Sequence, residues 1–174
     1  MKKTLVVVGH QSYENSVYNK KLVEAVQGLE HVDIHVLNEN FDIEAEQKKL
    51  TEYENVVLQY PLYWYSTTPL LKSWLDKVFA YGYAYGPNGD KLEGKNFGVA
   101  ITTASPIDAY HAEGQNKNTL EEFLTPMKGT FNFTRSNLKG FFYLNGCLPG
   151  SPVEISEEAL AKKCEEYKSF VSSF

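Results

Sequence analysis

The fold is decided by one stretch of sequence, Gln59-Tyr-Pro-Leu-Tyr-Trp-Tyr-Ser-Thr-Thr-Pro-Leu-Leu-Lys-Ser-Trp-Leu-Asp-Lys-Val-Phe79. It opens at the end of an apolar segment, residues 55–60, which is short and β-branched enough to be a buried strand. Pro61 ends this strand, because proline has no N–H to continue a sheet ladder. Thr67 or Thr68 then caps a helix, since apolar residues recur at helical spacing from Leu70 onward.

The loop between this strand and this helix is apolar and aromatic. It contains Leu62, Tyr63, Trp64 and Tyr65, whereas a loop that faces water is normally polar. One interpretation is that the loop packs against the following helix. The other is that it lies against a flat apolar ligand, because the carboxyl ends of the strands are where open α/β sheets bind ligands.

The rest of the chain alternates strands with helices. Strands are predicted at residues 4–9, 32–37, 55–60, 96–103 and 141–145, and the second has the alternation of an edge strand. Helices are predicted after the first strand, at 43–53, after Pro69, at 119–129 and at the carboxyl terminus. The last helix has one apolar face, formed by Leu160, Cys164, Tyr167, Val171 and Phe174. This alternation predicts a single α/β domain over residues 1–174, with a parallel sheet and helices on both faces.

Composition and charge exclude several classes of function. The chain has 174 residues, 43% of them hydrophobic and 14% aromatic, and a net charge of −5, which disfavours a nucleic-acid partner. Two cysteines indicate neither a disulfide framework nor a metal site. The apolar start is too short for a signal peptide, and no segment approaches the ~18 apolar residues of a membrane span. We therefore expect a cytoplasmic protein.

The loop after the first strand, residues 10–19, is a candidate anion site. A helix amino terminus offers free N–H groups there, and His10, Ser16 and Asn19 add short polar side chains. The Gly-rich patterns of Walker and dinucleotide-binding loops are absent, and Gly9-His10 replaces the acidic residue that would end this strand in a receiver domain. The alternative is that Asn15 or Ser16 simply caps the helix.

A third loop follows the fourth strand and faces the same edge of the sheet. Thr102-Thr-Ala-Ser-Pro106 is a turn sequence whose amides can point across this edge, and Tyr110 and His111 follow it. A ligand with a phosphate at one end and a flat ring at the other fits the three loops. Flavin mononucleotide (FMN) is such a ligand.

Four motifs, distributed over nearly the whole chain, carry a resemblance to a known family. They are His10-(x)5-Ser16-x-x-Asn19, the pair Pro61-Leu-Tyr-Trp-Tyr-Ser66 and Pro69-Leu-Leu-Lys-x-Trp-x-Asp-x-Val-Phe79, Tyr83-Ala-Tyr-Gly86, and Thr102-Thr103 with Tyr110. With them the chain resembles the flavodoxin-like NAD(P)H:quinone oxidoreductases, which include the flavoprotein ancillary subunits of glutathione-gated potassium efflux systems. The resemblance implies a three-layer sandwich with strand order 2-1-3-4-5.

The resemblance also implies which residues hold the flavin. The phosphate is held by His10 and the segment Ser16, Val17, Tyr18 and Asn19. The ring lies along Pro61, Leu62, Tyr63, Trp64 and Tyr65. The pyrimidine end faces Thr103, Ala104, Ser105 and Tyr110, and Tyr110 and His111 are the candidate catalytic residues.

The sequence departs from the family pattern at two places. Ala104 and Ser105 stand where many relatives have two glycines, and Asn116 stands where some relatives have a histidine that assists proton transfer. His111 is the residue that could compensate. Tyr83 and Tyr85 match residues that line the neighbouring subunit's pocket in dimeric relatives, although their spacing fits core or interface tyrosines equally well.

The implied activity is flavin-dependent, two-electron reduction of quinones or similar acceptors by NAD(P)H, with ping-pong hydride transfer through flavin N5 in a homodimer. Two alternatives remain, a regulatory subunit of a membrane potassium-efflux transporter and a flavodoxin-like electron carrier. The sequence leaves open FMN against FAD, NADH against NADPH, and the natural acceptor. No metal ligands are predicted.

Overall fold

The sheet of the computed structural model, which describes residues 3–174, consists of five parallel strands. They are β1 (Thr4–Val8), β2 (Val32–Val36), β3 (Asn55–Pro61), β4 (Asn96–Thr102) and β5 (Asn137–Leu144). Their order is β2-β1-β3-β4-β5, which confirms the predicted α/β sandwich and places β2 at an edge. β1 and β3 are buried along their whole length, as parallel strands covered on both faces are.

Helices cover both faces of this sheet. They are α1 (Tyr18–Val26), α2 (Ile43–Thr51), α3 (Pro69–Val78), α4 (Leu120–Phe123), α5 (Thr125–Phe133) and α6 (Glu157–Ser172). One core contains buried residues of α1 and α6, such as Leu22 and Tyr167. The other contains buried residues of α2, α3 and α5, such as Trp74 and Phe131. The apolar face predicted for the last helix packs in the first of these cores.

The segment of residues 59–79 is held at its centre by Thr68. The Thr68 hydroxyl accepts a hydrogen bond from the Leu71 N–H (3.2 Å) and donates one to the Gly9 carbonyl (2.8 Å), so Thr68 rather than Thr67 is the cap. A Cβ on Gly9 would lie 2.7 Å from the Leu71 Cβ, so β1 can approach α3 only with glycine here. Pro61 pairs with Thr102 as the last residue of β3, one residue beyond the predicted end.

Two predicted elements differ from the structure. The helix predicted at 119–129 is two short helices, α4 and α5, because Pro126 lacks the N–H that would continue the first of them. The strand predicted at 141–145 begins earlier, at Asn137, because a bulge opposite Phe97 and Gly98 interrupts its pattern at Gly140 (φ +149°). Other predicted boundaries agree within two residues.

A buried chain of polar side chains on the α1 and α6 face of the sheet joins α6, β3, α1 and β4. The Tyr167 hydroxyl donates to Gln59 Oε1 (2.8 Å), and Gln59 Nε2 donates to the Asn19 carbonyl (3.0 Å) and to its Oδ1 (3.2 Å). Asn19 Nδ2 then donates to Thr102 Oγ1 (3.1 Å). The chain fixes the start of α1 against the ends of β3 and β4.

A second buried polar cluster surrounds Glu46 beside β2, the edge strand of the sheet. The Glu46 carboxylate accepts a hydrogen bond from Trp74 Nε1 (2.8 Å) and lies 2.8 Å from His35 Nε2 through both oxygens. Burial alone would raise the pKa of Glu46, but the bonds from His35 and Trp74 and the nearby Lys49 outweigh it and lower the pKa below its usual range. The carboxylate therefore joins β2, α2 and α3 as an anion.

The variant Glu46→Gln is expected to lower the free energy of unfolding by about 1.5–3 kcal/mol at pH 7, since it removes charge-assisted hydrogen bonds. The folded pKa lies below the unfolded one, so this stabilisation is present above about pH 4.5 and disappears as the pH falls through the folded pKa. Urea unfolding of both proteins between pH 7 and pH 3 should show curves that converge in acid. Glu44→Gln, on the exposed side of α2, is the control, and a gap that stays constant with pH would contradict this account.

Candidate functional site

The first loop of the site places His10 at its entrance. Burial lowers the pKa of His10, which favours the neutral ring at pH 7. The Ser12 N–H donates to His10 Nδ1 (3.1 Å), so the ring proton is on Nε2, which can donate. The His10 and Tyr63 rings lie 6.4 Å apart, edge to face, which brings the first and second loops together.

The amino end of α1 follows in the same loop. Ser16 Oγ accepts a hydrogen bond from the Asn19 N–H (3.3 Å), so the serine caps the helix, as its simpler interpretation requires. Within residues 3–174, the backbone N–H groups of Val17 and Tyr18 donate no hydrogen bond. These two donors point along the positive end of the helix dipole, which is an anion-binding arrangement.

Two side chains of this segment turn away from the loop. Asn19 is buried and bonded to Gln59 and Thr102, so its amide ties α1 to the sheet. The Tyr18 hydroxyl donates to Glu154 Oε1 (2.5 Å), and burial, followed by this bond, raises the pKa of Tyr18. For Tyr18 the group that remains for a ligand is the backbone N–H.

The aromatic loop is a tight turn with two bulky residues at its tip. Tyr63 and Ser66 exchange both backbone hydrogen bonds (3.1 and 3.0 Å), and Trp64 (φ +46°) and Tyr65 (φ +62°) lie between them. Positive φ at two consecutive central residues is the type I′ geometry that normally requires Asn or Gly. The Trp64 side chain is 94% exposed. Such strain concentrates at functional sites.

The same turn leaves two more backbone donors available. The Leu62 N–H is engaged, because it donates to the Thr102 carbonyl (2.9 Å). In the part of the chain that the structure describes, the N–H groups of Trp64 and Tyr65 donate to no acceptor. Pro61 has no N–H, so a ligand along this loop would meet donors only at its tip.

Two hydrogen bonds with the end of β5 and the residue after it hold the turn that follows β4. The Thr103 N–H donates to the Leu144 carbonyl (2.9 Å), and Asn145 Nδ2 donates to Thr103 Oγ1 (2.8 Å). Of the three amides predicted to face a ligand, that of Thr103 is thus engaged. Those of Ala104 and Ser105 make no hydrogen bond within residues 3–174.

A cavity of about 170 Å³ lies where the second and third loops meet. It is lined by Leu62, Trp64, Tyr65, Ala104, Ser105, Tyr110 and Asn116. Tyr110 is nearly buried in its wall. His111 lies on the exposed side of the loop, outside this lining, and its Nδ1 accepts from the Glu113 N–H (3.3 Å).

Sequence reasoning missed two features of the site. One is the role of Gln59, which reads as part of an apolar strand. The other is the contact across the cavity, where the Tyr65 hydroxyl donates to Asn116 Oδ1 (2.9 Å) and its ring stacks on Phe123 at 4.6 Å. No local pattern reports these contacts, because each partner lies at least 40 residues away in sequence.

A larger apolar cavity of about 400 Å³ adjoins the site between α3 and α5. Tyr85 and Phe133 line it, and Phe133 is 65% exposed. The neighbouring Tyr81 is 67% exposed and lies edge to face with Tyr85. Tyr83 instead belongs to the core, where its hydroxyl donates to the Gln47 carbonyl (2.8 Å).

Residues 3–174 include no cluster of three or more His, Cys, Asp or Glu side chains that could hold a metal ion. None of their helices has the length and apolar character needed to cross a membrane.

Comparison with known proteins assigns the family. Residues 2–171 match the family model Flavodoxin_2, described as a flavodoxin-like fold, and the chain belongs to this family. It is 37% identical over 176 residues to the uncharacterized NAD(P)H oxidoreductase YdeQ of Bacillus subtilis, covering 98% of this chain and 87% of YdeQ. It is 42% identical over 133 residues to the glutathione-regulated potassium-efflux system ancillary protein KefG of Yersinia enterocolitica, covering 74% and 72%.

Two solved structures are similar over nearly their whole length. A NADPH-quinone reductase from P. pentosaceus superposes with a TM-score of 0.92, at 27% identity and 99% coverage of both chains. The general stress protein 14 of Treponema denticola, in complex with FMN, superposes with a TM-score of 0.88, at 27% identity and 98% coverage of both chains. The predicted family and fold are confirmed.

The strain at the turn predicts an inverted preference for glycine at position 64. Trp64→Gly is expected to be more stable than Trp64→Ala by about 1 kcal/mol, because only glycine adopts positive φ without steric cost. At Lys48, an exposed position inside α2, the order should reverse, with alanine more stable by roughly 0.5–1 kcal/mol. Urea unfolding of the four variants measures both differences, and an alanine that equals glycine at position 64 would exclude the left-handed turn in solution.

Proposed function

We propose that this protein is an FMN-dependent NAD(P)H:quinone oxidoreductase. One observation carries the proposal: three loops at one sheet edge each present a pair of adjacent backbone N–H groups without an acceptor among residues 3–174. The pairs are Val17 and Tyr18, Trp64 and Tyr65, and Ala104 and Ser105. A flavin nucleotide offers acceptors at matching places, namely a phosphate and the polar edges of a flat ring.

The first loop would hold the phosphate. The Val17 and Tyr18 N–H groups at the start of α1, the Nε2–H of His10 and the hydroxyl of Ser16 supply donors for its oxygens. Asn19 would act indirectly, because its buried amide holds the start of α1 against Thr102. A buried, bonded amide fixes the donors in place before any ligand arrives.

The second and third loops would hold the ring. Its flat face would lie along Pro61 to Tyr65, where the N–H groups of Trp64 and Tyr65 could donate to one polar edge. The amides of Ala104 and Ser105 and the hydroxyl of Tyr110 would donate to the pyrimidine end. Fixed donors aimed at negative charge stabilise it by about 3–4 kcal/mol each in characterised sites. The bond that Thr103 donates to the Leu144 carbonyl and the bond that it accepts from Asn145 keep this turn fixed.

When bound, the flavin supplies hydride transfer between a reduced nicotinamide and an acceptor. The chain binds and orients the partners of this reaction. The nicotinamide and the acceptor would use the same face of the flavin ring in turn, which gives ping-pong kinetics. The FMN named in the T. denticola neighbour supports FMN over FAD. We propose that the protein acts in the cytoplasm, where NAD(P)H is supplied. The free thiols of both cysteines agree with this reducing compartment.

The absorbance of the purified protein tests this function. The FMN-loaded protein should show a flavin spectrum that bleaches on anaerobic addition of NADPH or NADH and returns on addition of 1,4-naphthoquinone. Chromatography of the released cofactor identifies the flavin. A protein that binds neither FMN nor FAD would exclude the proposal.

A matched pair of ligands tests where the phosphate binds. Ser16→Asp keeps an oxygen acceptor for the Asn19 N–H, so the cap is retained, but adds a negative charge. We expect its FMN affinity to fall at least tenfold by charge repulsion, while its affinity for riboflavin, which lacks the phosphate, is unchanged. Equal loss of both ligands would place the phosphate elsewhere.

We also propose that the protein acts as a homodimer. The exposed aromatic rings of Tyr81 and Phe133 beside the 400 Å³ apolar cavity support this, because exposed apolar patches with a neighbouring cleft are typical of interfaces. The proximity of this cavity to the ligand loops, through the shared Leu62, would then place the second subunit next to the cofactor.

Sedimentation equilibrium measures the association. The expected mass is twice the 19.7 kDa of the chain. Phe133→Lys should shift the protein towards the monomer, because it places a charge in the apolar contact. Val153→Lys, an exposed apolar position on the loop before α6, should not. A monomer at all concentrations would refute the homodimer.

The similarity to KefG favours a second candidate function, an ancillary subunit of a glutathione-regulated potassium-efflux system. The anaerobic absorbance titration with NAD(P)H and 1,4-naphthoquinone separates the ancillary role from the reductase. Rapid reoxidation by quinone supports the reductase, whereas FMN binding without turnover favours a regulatory role. An electron carrier would bleach slowly and pass single electrons to protein partners.

A further inference from the structure

The segment between β5 and α6, residues 146–155, is hydrogen-bonded to the start of α1. The Glu154 carboxylate accepts a bond from the Tyr18 hydroxyl at Oε1 (2.5 Å) and one from the Gly150 N–H at Oε2 (2.6 Å). Tyr18 is the first residue of α1, and its ring is packed in the core, 6% exposed. This bridging segment therefore holds the side chain of a residue whose backbone N–H is one of the free donors of the first loop.

The other end of the bridging segment is bonded to the turn after β4. The Gly146 N–H donates to the Ser105 carbonyl (3.1 Å), and the Cys147 N–H donates to the Thr103 carbonyl (2.8 Å). The free N–H groups of Ala104 and Ser105 lie in this same turn. One short segment thus contacts two of the three loops of the candidate site.

A hydrogen bond within the bridging segment ties its two ends together. The Ile155 N–H donates to the Gly146 carbonyl (2.9 Å), and Ile155 follows Glu154 in the chain. The closure is tight, because a Cβ on Gly146 (φ +73°) would lie 2.6 Å from the Val153 carbonyl oxygen. A continuous path of hydrogen bonds therefore joins the turn after β4 to the first residue of α1.

The bond between Tyr18 and Glu154 is charge-assisted. The bonds from Tyr18 and Gly150 lower the pKa of Glu154, so the carboxylate is ionised at pH 7. A hydroxyl bonded to an ionised carboxylate makes a shorter and stronger bond than one bonded to a neutral acceptor. Glu154 lies at the surface, but each of its two oxygens has a donor, and these bonds fix its orientation.

Resting on the proposed function, we propose that Glu154 is a positioning residue for the flavin phosphate. It acts through the Tyr18 hydroxyl, which holds the first turn of α1 and thereby aims the free N–H groups of Val17 and Tyr18 at the phosphate oxygens. The bridging segment also sets the separation between these donors and those of the turn after β4. Donors that are held in place before the ligand arrives bind it with a smaller loss of freedom.

Two flavins that differ only in the phosphate test this role. Tyr18→Phe removes the bond to Glu154 but keeps the ring and the net charge. FMN and riboflavin are titrated into the flavin-free protein, and binding is measured by quenching of flavin fluorescence. We expect the Kd for FMN to rise roughly threefold to tenfold, since one hydrogen bond that positions the donors is lost, and the Kd for riboflavin to stay within about twofold.

Tyr53→Phe is the matched control. The Tyr53 hydroxyl also donates to a carboxylate, Asp33 Oδ2 (2.8 Å), but at the amino ends of the strands, on the opposite edge of the sheet. Urea unfolding should show a similar loss of stability in Tyr18→Phe and Tyr53→Phe. The ratio of FMN to riboflavin affinity should change only in Tyr18→Phe, and the same change in Tyr53→Phe would overturn the proposal by attributing the effect to stability.

Two variants of Glu154 separate the hydrogen bond from the charge. Glu154→Gln and Glu154→Ala both remove the negative charge, but only glutamine keeps an oxygen for the Tyr18 hydroxyl. Glu154→Gln should therefore bind FMN about threefold or more tightly than Glu154→Ala. Because Tyr18 and Glu154 act as one unit, adding Tyr18→Phe to Glu154→Ala should weaken FMN binding no further. Equal affinities of the two Glu154 variants, or independent losses in the double variant, would overturn the proposal.

The outcomes also separate this inference from the proposed function. A wild type that binds no flavin removes the proposed function. A wild type that binds FMN without bleaching on addition of NAD(P)H contradicts the reductase, while a selective loss of FMN in Tyr18→Phe still supports the role of Glu154. An unchanged FMN affinity in Tyr18→Phe, or an equal loss of FMN and riboflavin, overturns only the role of Glu154.

Discussion

The candidate site depends on the hydrogen bonds made by the side chain of Gln59. Gln59 Oε1 accepts a hydrogen bond from the Tyr167 hydroxyl, and Gln59 Nε2 donates one to Asn19, whose own amide donates to Thr102. All four residues are buried, where an unpaired polar group is costly, so the network holds only in one arrangement. That arrangement fixes the start of α1 against the ends of β3 and β4, and thereby sets the distance between the loops of the candidate site.

Rigidity at this edge explains how a strained turn persists. Trp64 and Tyr65 hold a backbone conformation that is unfavourable for aromatic residues. The turn is fixed by the Tyr63–Ser66 bridge, by the Asn116 contact of Tyr65 and by the stacking of Tyr65 on Phe123. The strain leaves two N–H groups available at its tip. Strain and free donors are thus two consequences of one local geometry, and both fit a ligand-binding role.

Most of the fold could be predicted from the sequence, because burial imposes periodicity. Apolar runs gave β1, β3 and β4, and the helical spacing after Pro69 gave α3. The predicted boundaries were wrong where a single residue interrupts the backbone geometry that its neighbours' pattern indicates. Pro126 divides a helical pattern into two helices, and Gly140 at a bulge hides the first half of β5. Both are backbone effects that side-chain periodicity does not report.

The loops of the candidate site could be predicted from the sequence, but not which of their hydrogen-bond donors remain available. Which three loops meet follows from the order of strands in the sequence, because parallel strands end at one edge, and the aromatic and donor residues found there are visible in it as well. The tertiary structure decided which groups remain available: the Thr103 N–H is engaged by Leu144, and Tyr83 by Gln47, whereas the Asn116 amide keeps a free donor. These hydrogen bonds join residues far apart in the chain, so only the folded arrangement settles which donors are satisfied.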